Sequence, residues 1–195
     1  MTYELNKEKF LKEVSDHDLI ILKDDGLYRH IRFKEPNTMM QYFDIVTWPG
    51  YLAYSGDMGS YTFSRIEDMF SFFRDESDTW GINPGYWSEK LEAVCRTDGY
   101  KEFSWDAFVE NLMDYCDTDE QKEFIRSELE YVESDEFGAV SFIREFDNDN
   151  EAGVDISDFW ECSHDVPATR FLWCCYALVW GIRKYDDAMK QGAAA

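Results

Sequence analysis

The sequence has 195 residues, of which 45% are hydrophobic and 17% aromatic, and this composition predicts a folded chain with a sizeable core rather than a disordered acidic tail. Its 41 acidic and 19 basic residues give a net charge of −22. A field of this sign repels nucleic acid and anionic membranes and attracts basic surfaces, so we exclude direct binding to nucleic acid or to membranes.

The negative charge is concentrated in one part of the chain. Residues 1–65 hold 10 acidic and 8 basic residues, whereas residues 97–165 hold 22 acidic and 4 basic ones. Adaptation of a whole protein to high salt would spread the charge more evenly. The distribution instead indicates a specific acidic region in the second half of the chain.

The N-terminal third has the pattern of a short helix followed by an antiparallel meander. Apolar residues at helical spacing predict a helix over residues 5–15. Turn signals at Asp24-Asp25-Gly26, Trp48-Pro49-Gly50 and Gly56–Gly59 then separate short segments rich in β-branched and aromatic residues. We therefore predict about five antiparallel strands over residues 18–64.

Helical periodicity follows residue 65. It predicts helices in residues 66–75 and 86–95, from Ser104 onward, in residues 118–132 and 135–146, and over residues 168–188. The last of these contains a 12-residue apolar run, shorter than the roughly 20 residues that a membrane span needs, so we expect a buried helix. The prediction is one α+β domain over residues 1–195: residues 1–65 mainly sheet, and residues 66–195 mainly helical and strongly acidic.

The five cysteines and the N-terminus bear on the compartment. The number of cysteines is odd, and the first ten residues lack the apolar core of a signal peptide. Reduced thiols in a cytoplasmic protein are therefore expected rather than disulfides.

Carboxylates recur every fourth residue from residue 98, at Asp98, Glu102, Asp106, Glu110 and Asp114. Like charges at this spacing weaken an isolated helix by about 0.2–0.5 kcal/mol per pair, and Lys101 is the only basic residue in residues 98–120. Because Ser104 is a suitable N-cap, we expect the first two acids to lie outside the helix and the last three to form its exposed face.

This exposed face is the predicted site. One helix spaces such carboxylates about 6 Å apart along its axis, whereas phosphates on one DNA strand advance by about 3.4 Å, so two or three acidic helices together approach the charge density of a duplex. The predicted partner-binding residues are Asp106, Glu110, Asp114, Asp117, Glu120, Glu123, Glu130 and Glu133.

Two segments have partial metal-binding patterns. Asp147–Asp158 places oxygen ligands as an EF-hand loop does at its first positions, but Ala152 occupies the position of the required glycine and Asp158 that of the final glutamate. Cys162 and His164 with Cys174 and Cys175 supply four candidate zinc ligands without the usual paired spacing. We therefore expect a solvated acidic loop and buried thiols, with no metal and no cofactor.

No known catalytic motif supports an enzyme. The sequence lacks the phosphate-binding, metalloprotease and nucleophile-elbow motifs. His30 alternates within a predicted strand and is expected to be structural, and with 41 acidic residues in the chain, pairs such as Asp155 and Asp158 arise by chance. The expectation is a binding protein with no catalytic residues.

Two blocks resemble a known group of proteins. FDIVTWPGYLAYSGDMGSYTFSRIEDMFSFF (residues 43–73) and DFWECSHDVPATRFLWCCYALVWGIRKYD (residues 158–186) resemble a family of uncharacterised accessory proteins of bacteriophages and prophages. The resemblance covers about a third of the chain. It implies a phage setting and expression in the bacterial cytoplasm, and it carries over no activity and no site residues.

Three functions follow as hypotheses. The first is a phage inhibitor that mimics nucleic acid and occupies the basic groove of a host defence complex, of the anti-CRISPR or anti-restriction type. The second is an acidic interaction or regulatory protein without mimicry, whose charge provides solubility and steering. The third is an enzyme of an unrecognised class.

Overall fold

The computed structural model describes residues 5–75, 77, 80–97 and 99–193. The strands are β1 (Asp18–Asp25), β2 (Tyr28–Lys34), β3 (Phe43–Trp48), β4 (Tyr51–Gly56), β5 (Gly59–Ser64), β6 (Leu91–Val94), β7 (Lys101–Phe103) and β8 (Asp165–Pro167). The helices are α1 (Lys7–Glu13), α2 (Met69–Phe73), α3 (Pro84–Ser88), α4 (Trp105–Asp114), α5 (Asp119–Leu129), α6 (Glu136–Glu145) and α7 (Thr169–Ala193). The predicted α+β class is confirmed.

The described residues form two compact units. One, the sheet unit, draws on residues 1–100 and 167–195, and the other, the acidic unit, comprises residues 101–166. The sequence predicted a single α+β domain over residues 1–195, and this stays a prediction.

The sheet unit is built on six antiparallel strands in the order β1-β2-β3-β4-β5-β6. The five strands predicted over residues 18–64 are all present, and their inward positions alternate along the chain, as in the buried Phe43, Ile45 and Thr47 of β3. The turn after β4 needs a glycine, because a Cβ on Gly56 would lie 2.2 Å from the backbone oxygen of Tyr42.

Two helix predictions in this unit need correction. Residues 66–75 form only the short α2, which Asp68 caps through its side chain. Residues 86–95 do not form one helix: α3 ends at Ser88, and β6 follows and pairs with β5, with Leu91 opposite Phe63. The free backbone groups at the edge of β5 outweigh a local helical pattern, because pairing satisfies them.

The long C-terminal helix α7 lies in the core of the sheet unit, as predicted. Its buried residues include Phe171, Trp173, Leu178 and Ile182. The helix approaches the sheet closely at Gly181, where a Cβ would lie 2.9 Å from side-chain atoms of the sheet. No helix in the described part of the chain is both long enough and apolar enough to cross a membrane.

The acidic unit has its own small core. Helices α4, α5 and α6 and the 3₁₀ helix Phe159–Glu161 surround a cluster that includes the buried Phe108, Leu112, Ile125 and Phe159. β7 and β8 form a two-stranded sheet at its ends. The apolar stripes of the helices fill this core, so their polar faces turn to solvent.

Candidate acidic interface

Helix α4 begins where the sequence predicted. The Ser104 hydroxyl accepts a hydrogen bond from the backbone N–H of Ala107 at 3.2 Å, and the rings of Phe103 and Phe108 lie 6.2 Å apart on either side of this cap. Glu102 lies in β7 and therefore outside the helix, as expected. Asp98 lies outside the described residues.

Helix α5 begins with the predicted capping box. Thr118 accepts from the backbone of Gln121, and the Gln121 side chain accepts in return from the backbone of Thr118. The same glutamine side chain donates to the backbone oxygens of Ala152 and Gly153 at 3.2 Å. The cap therefore also fixes the Asp147–Asp158 loop against α5.

All eight predicted partner-binding residues are exposed: Asp106, Glu110, Asp114, Asp117, Glu120, Glu123, Glu130 and Glu133. The first three lie on α4 and the fourth in the turn that follows it. Two lie on α5, and the last two follow its C-terminal end. Within the described part of the chain, none of these eight carboxylates forms an ion pair or accepts a hydrogen bond.

The charge divides between the two units. The acidic unit holds 21 acidic and 4 basic residues, a net charge of −17, which leaves −5 for the rest of the chain. The ion pairs that the structure describes are in the sheet unit, such as Arg29 with Asp68 and Arg32 with Asp44. The acidic unit thus carries most of the protein's charge on surface carboxylates.

The Asp147–Asp158 loop is closed by amide side chains. Asn150 donates to the backbone oxygens of Asp147 and Val154 at 2.8 and 2.6 Å, and Asn148 accepts from the backbone of Ile156 at 2.8 Å. No group of three candidate metal ligands is found among the described residues. The two asparagine side chains thus tie the backbone of this loop together.

The four candidate zinc ligands belong to different units. Cys174 and Cys175 are buried on α7 in the core of the sheet unit, where burial raises the pKa of both thiols. Cys162 and His164 belong to the acidic unit. Cys162, Cys174 and Cys175 are free thiols in the described part of the chain.

His164 lines a cleft of about 290 Å³ in the acidic unit, together with Cys162, Ser163 and Asp165. Its Nδ1 lies 2.9 Å from the Asn111 amide nitrogen, and burial lowers its pKa, so the ring is neutral at pH 7.

The chemistry of this cleft bears on the enzyme hypothesis. The Cys162 sulfur lies 3.5 Å from the Tyr115 hydroxyl, and this hydrogen bond, with burial, raises the pKa of Tyr115 to about 12. Among the described hydrogen bonds, Cys162 has none with His164. A hydrogen-bonded imidazole is the usual activator of a cysteine nucleophile, and the described contacts pair His164 with Asn111 instead.

His30, the other histidine considered from the sequence, belongs to an ion-pair network on the sheet. Its Nε2 lies 3.1 Å from Asp44, which also accepts two hydrogen bonds from Arg32 at 2.7 and 2.8 Å. Burial alone would raise the pKa of Asp44, but the hydrogen bonds from Arg32 and His30 hold it below its ordinary value. Asp44 thus holds the side chains of His30 and Arg32 together on the sheet.

Sequence reasoning missed a second cleft, of about 460 Å³, between the C-terminal end of α5 and α6. Its walls include Tyr131 and Phe137, which are 89% and 77% exposed. A signal for Phe137 was present in the sequence: α6 buries Gly138, Ala139 and Phe142, and Phe137 lies about 140° away from Phe142 around the helix.

No protein-family model, curated protein sequence or solved structure matches this chain. The resemblance to phage accessory proteins therefore stays a prediction.

Proposed function

We propose that this protein is a phage-encoded inhibitor that mimics nucleic acid and occupies the basic groove of a host defence complex, of the anti-CRISPR or anti-restriction type. The observation that supports it best is the set of eight exposed carboxylates in a unit of net charge −17, none of them neutralised by a basic side chain among the described residues. The sequence resemblance to phage proteins supports the biological setting.

The geometry of the helices suits a charged partner. Asp106, Glu110 and Asp114 are spaced four residues apart on α4, so their Cα atoms rise by about 6 Å per step. Helix α5 packs against α4 and adds Glu120 and Glu123. Two packed helices that both carry exposed carboxylates present a higher density of negative charge than one helix does, which is what a substitute for phosphates requires.

Ion-pair energetics also favour an intermolecular role. An exposed Lys–Glu pair contributes only about 0.2–1 kcal/mol to stability, so it costs the fold little that these eight residues have no ion-pair partner among the described residues. Binding to a basic partner is more favourable than one such pair, because many of these contacts form together. Binding also relieves the repulsion between the partner's own Lys and Arg side chains. The partner would be the surface that otherwise holds phosphates.

The experiment is affinity capture from a bacterial host lysate with the tagged protein, followed by competition. We expect recovery of a nucleic-acid-binding complex, and we expect duplex DNA to displace this protein from it. The affinity should fall steeply with added salt, because charges at a surface are screened over about 8–10 Å near physiological ionic strength. A captured partner that binds DNA and this protein simultaneously would contradict the proposal.

The second candidate is an acidic regulatory protein without mimicry. The exposed rings of Tyr131 and Phe137 favour it, because phosphate mimicry does not call for aromatic side chains. Recovery of a metabolic enzyme or a virion component would support this alternative. The enzyme hypothesis has the His164 cleft in its favour, but no hydrogen bond between Cys162 and His164 is described in that cleft.

A further inference from the structure

The cleft between α5 and α6 presents aromatic rings to solvent. Tyr131 and Phe137 stand at its opening, and Phe142 and Phe146 lie deeper, with Phe142 only 8% exposed. The centroids of the two deep rings lie 5.4 Å apart, so these rings pack against each other. Tyr131 and Phe137, by contrast, have no ring partner among the described residues. Because the two outer rings are exposed, they contribute little to the stability of the fold. A role in binding would explain why they are exposed.

Carboxylates surround these rings. Glu128, Glu133, Glu145 and Asp147 line the same cleft, all four are exposed, and none of the lining residues is basic. Aromatic faces carry negative potential and attract cations, and carboxylates add full charges. The cleft is therefore complementary to a cation with a flat apolar surface.

A helix cap and a close backbone approach define the backbone around the cleft. Asp135 caps α6 by accepting from the backbone of Gly138 at 2.7 Å. A Cβ on Gly138 would lie 2.1 Å from the Glu133 backbone oxygen, so α6 and the segment before it approach as closely as only glycine allows. A preformed cleft binds at a lower entropic cost than one that must be ordered.

We infer that this cleft binds an arginine side chain of the protein partner. A guanidinium group stacks on aromatic rings, pairs with carboxylates through two parallel hydrogen bonds and is less strongly hydrated than an ammonium group, so it fits this lining better than lysine does. The inference rests on the proposed function in that the partner is a basic protein, and it names the side chain that anchors it.

The test is an NMR titration with N-acetyl-arginine methylamide. We expect saturable shifts of the Tyr131 and Phe137 ring signals and of the Gly138 amide. The citrulline analogue, which has the same shape without the charge, should give none, and the lysine analogue should bind more weakly. The double variant Tyr131→Ser/Phe137→Ser should lose about tenfold in affinity or more, the order of two cation–π contacts.

The matched control is Trp160→Ser, which removes an aromatic ring of the same unit that is 69% exposed and does not line the cleft. It should bind the arginine analogue as the wild type does. Equal binding of the arginine and lysine analogues, unchanged in the double variant, would overturn the inference in favour of general charge attraction. Shifts of the same signals with protein concentration alone would overturn it in favour of a second copy in the cleft.

The result is separable from the proposed function. The variant Asp106→Lys/Glu110→Lys/Asp114→Lys changes α4 and leaves the cleft lining intact. It should still bind the arginine analogue even though the proposed function predicts that it loses the partner. Conversely, if the arginine analogue does not bind, only the inference about the cleft fails. The competition experiment with DNA still tests the proposed function independently.

Discussion

Thr118 and Gln121 form a reciprocal pair of hydrogen bonds at the start of α5. The threonine hydroxyl accepts from the backbone N–H of Gln121 at 3.2 Å, and the glutamine side-chain oxygen accepts from the backbone N–H of Thr118 at 3.3 Å. Since the Gln121 amide also reaches the backbone of Ala152 and Gly153, one side chain joins the helix start to the Asp147–Asp158 loop. This arrangement sets the direction of the exposed face of α5.

The first prediction concerns this cap. Thr118→Ala should lower the free energy of unfolding by about 1 kcal/mol, because one N–H at the helix start loses its acceptor. Gln121→Ala should cost more, because it also removes the two hydrogen bonds to the loop. Urea denaturation followed by circular dichroism measures both. Ser134→Ala, at an exposed position without a cap, is the control, and a Gln121→Ala variant as stable as this control would contradict the prediction.

The second prediction concerns the core of the sheet unit. Trp173 is 1% exposed, packs at 5.0 Å against the ring of Phe10 and donates its indole N–H to Glu13 at 2.7 Å. Trp173→Ala should therefore destabilise the protein by about 3–5 kcal/mol. Trp160→Ala removes the same side chain from a 69% exposed position and should leave the melting temperature nearly unchanged. Equal melting temperatures for the two variants would show that Trp173 is not a core residue.

The third prediction is a pH dependence of stability. Burial would raise the pKa values of Asp44 and Asp68, but hydrogen bonds from Arg32 and His30 to Asp44, and from Arg29 to Asp68, lower both below the ordinary 3.8. The unfolded chain therefore takes up protons first as the pH falls. The stabilisation from these two carboxylates is complete at pH values above their pKa in the unfolded chain. It is lost as the pH falls through their pKa in the folded protein.

Asp44→Asn and Asp68→Asn should accordingly be less stable than the wild type at pH 7, and the difference should shrink as the pH falls below about 4. Urea denaturation at a series of pH values measures it. Asp25→Asn, at an exposed position on β1, is the control variant and is measured at the same pH values. A difference that stays constant down to pH 2 would mean that the two pairs do not shift these pKa values.

The fourth prediction concerns the Asp147–Asp158 loop. Its order comes from Asn148 and Asn150, so EDTA should leave the melting temperature unchanged. Asn150→Ala removes three hydrogen bonds and should cost about 1–3 kcal/mol. Glu151→Ala, an exposed neighbour, is the control. A marked fall in melting temperature with EDTA, reversed by added Ca²⁺, would show that the loop is a metal site after all.

The sequence predicted the features that depend on local patterns. The meander over residues 18–64, the cap at Ser104 and the capping box at Thr118 were all visible as turn signals, alternation or capping residues. The exposure of the acidic face of α4 followed from helical spacing against buried residues such as Phe108.

Features that depend on distant partners were not predicted. β6 forms because Leu91 pairs with Phe63, 28 positions earlier, at the edge of β5. The local periodicity of residues 86–95 cannot indicate that such an edge is available. The cleft between α5 and α6 depends on how α6 packs after α5, so its acids and rings are adjacent only in the folded chain. The binding role of the acidic face cannot be read from exposure, because a solvated face and an interface have the same composition until a partner is present.

The last prediction concerns the acidic face itself. The triple variant Asp106→Lys/Glu110→Lys/Asp114→Lys changes the net charge by six units, from −22 to −16. The fold should stay intact or become slightly more stable, because the altered residues are exposed and like charges of the native face are replaced in a unit that remains strongly acidic. Binding to the captured partner should nevertheless fall by orders of magnitude, because each lost attraction becomes a like-charge contact with the partner's Lys and Arg.

The control variant Asp16→Lys/Asp18→Lys/Asp25→Lys makes the same change of net charge at exposed positions of the sheet unit and should bind as the wild type does. Affinity measured by calorimetry at two salt concentrations distinguishes the two variants: a loss common to both would assign the effect to net charge, and full affinity of the α4 variant would mean that this helix face is solvated and does not mimic nucleic acid.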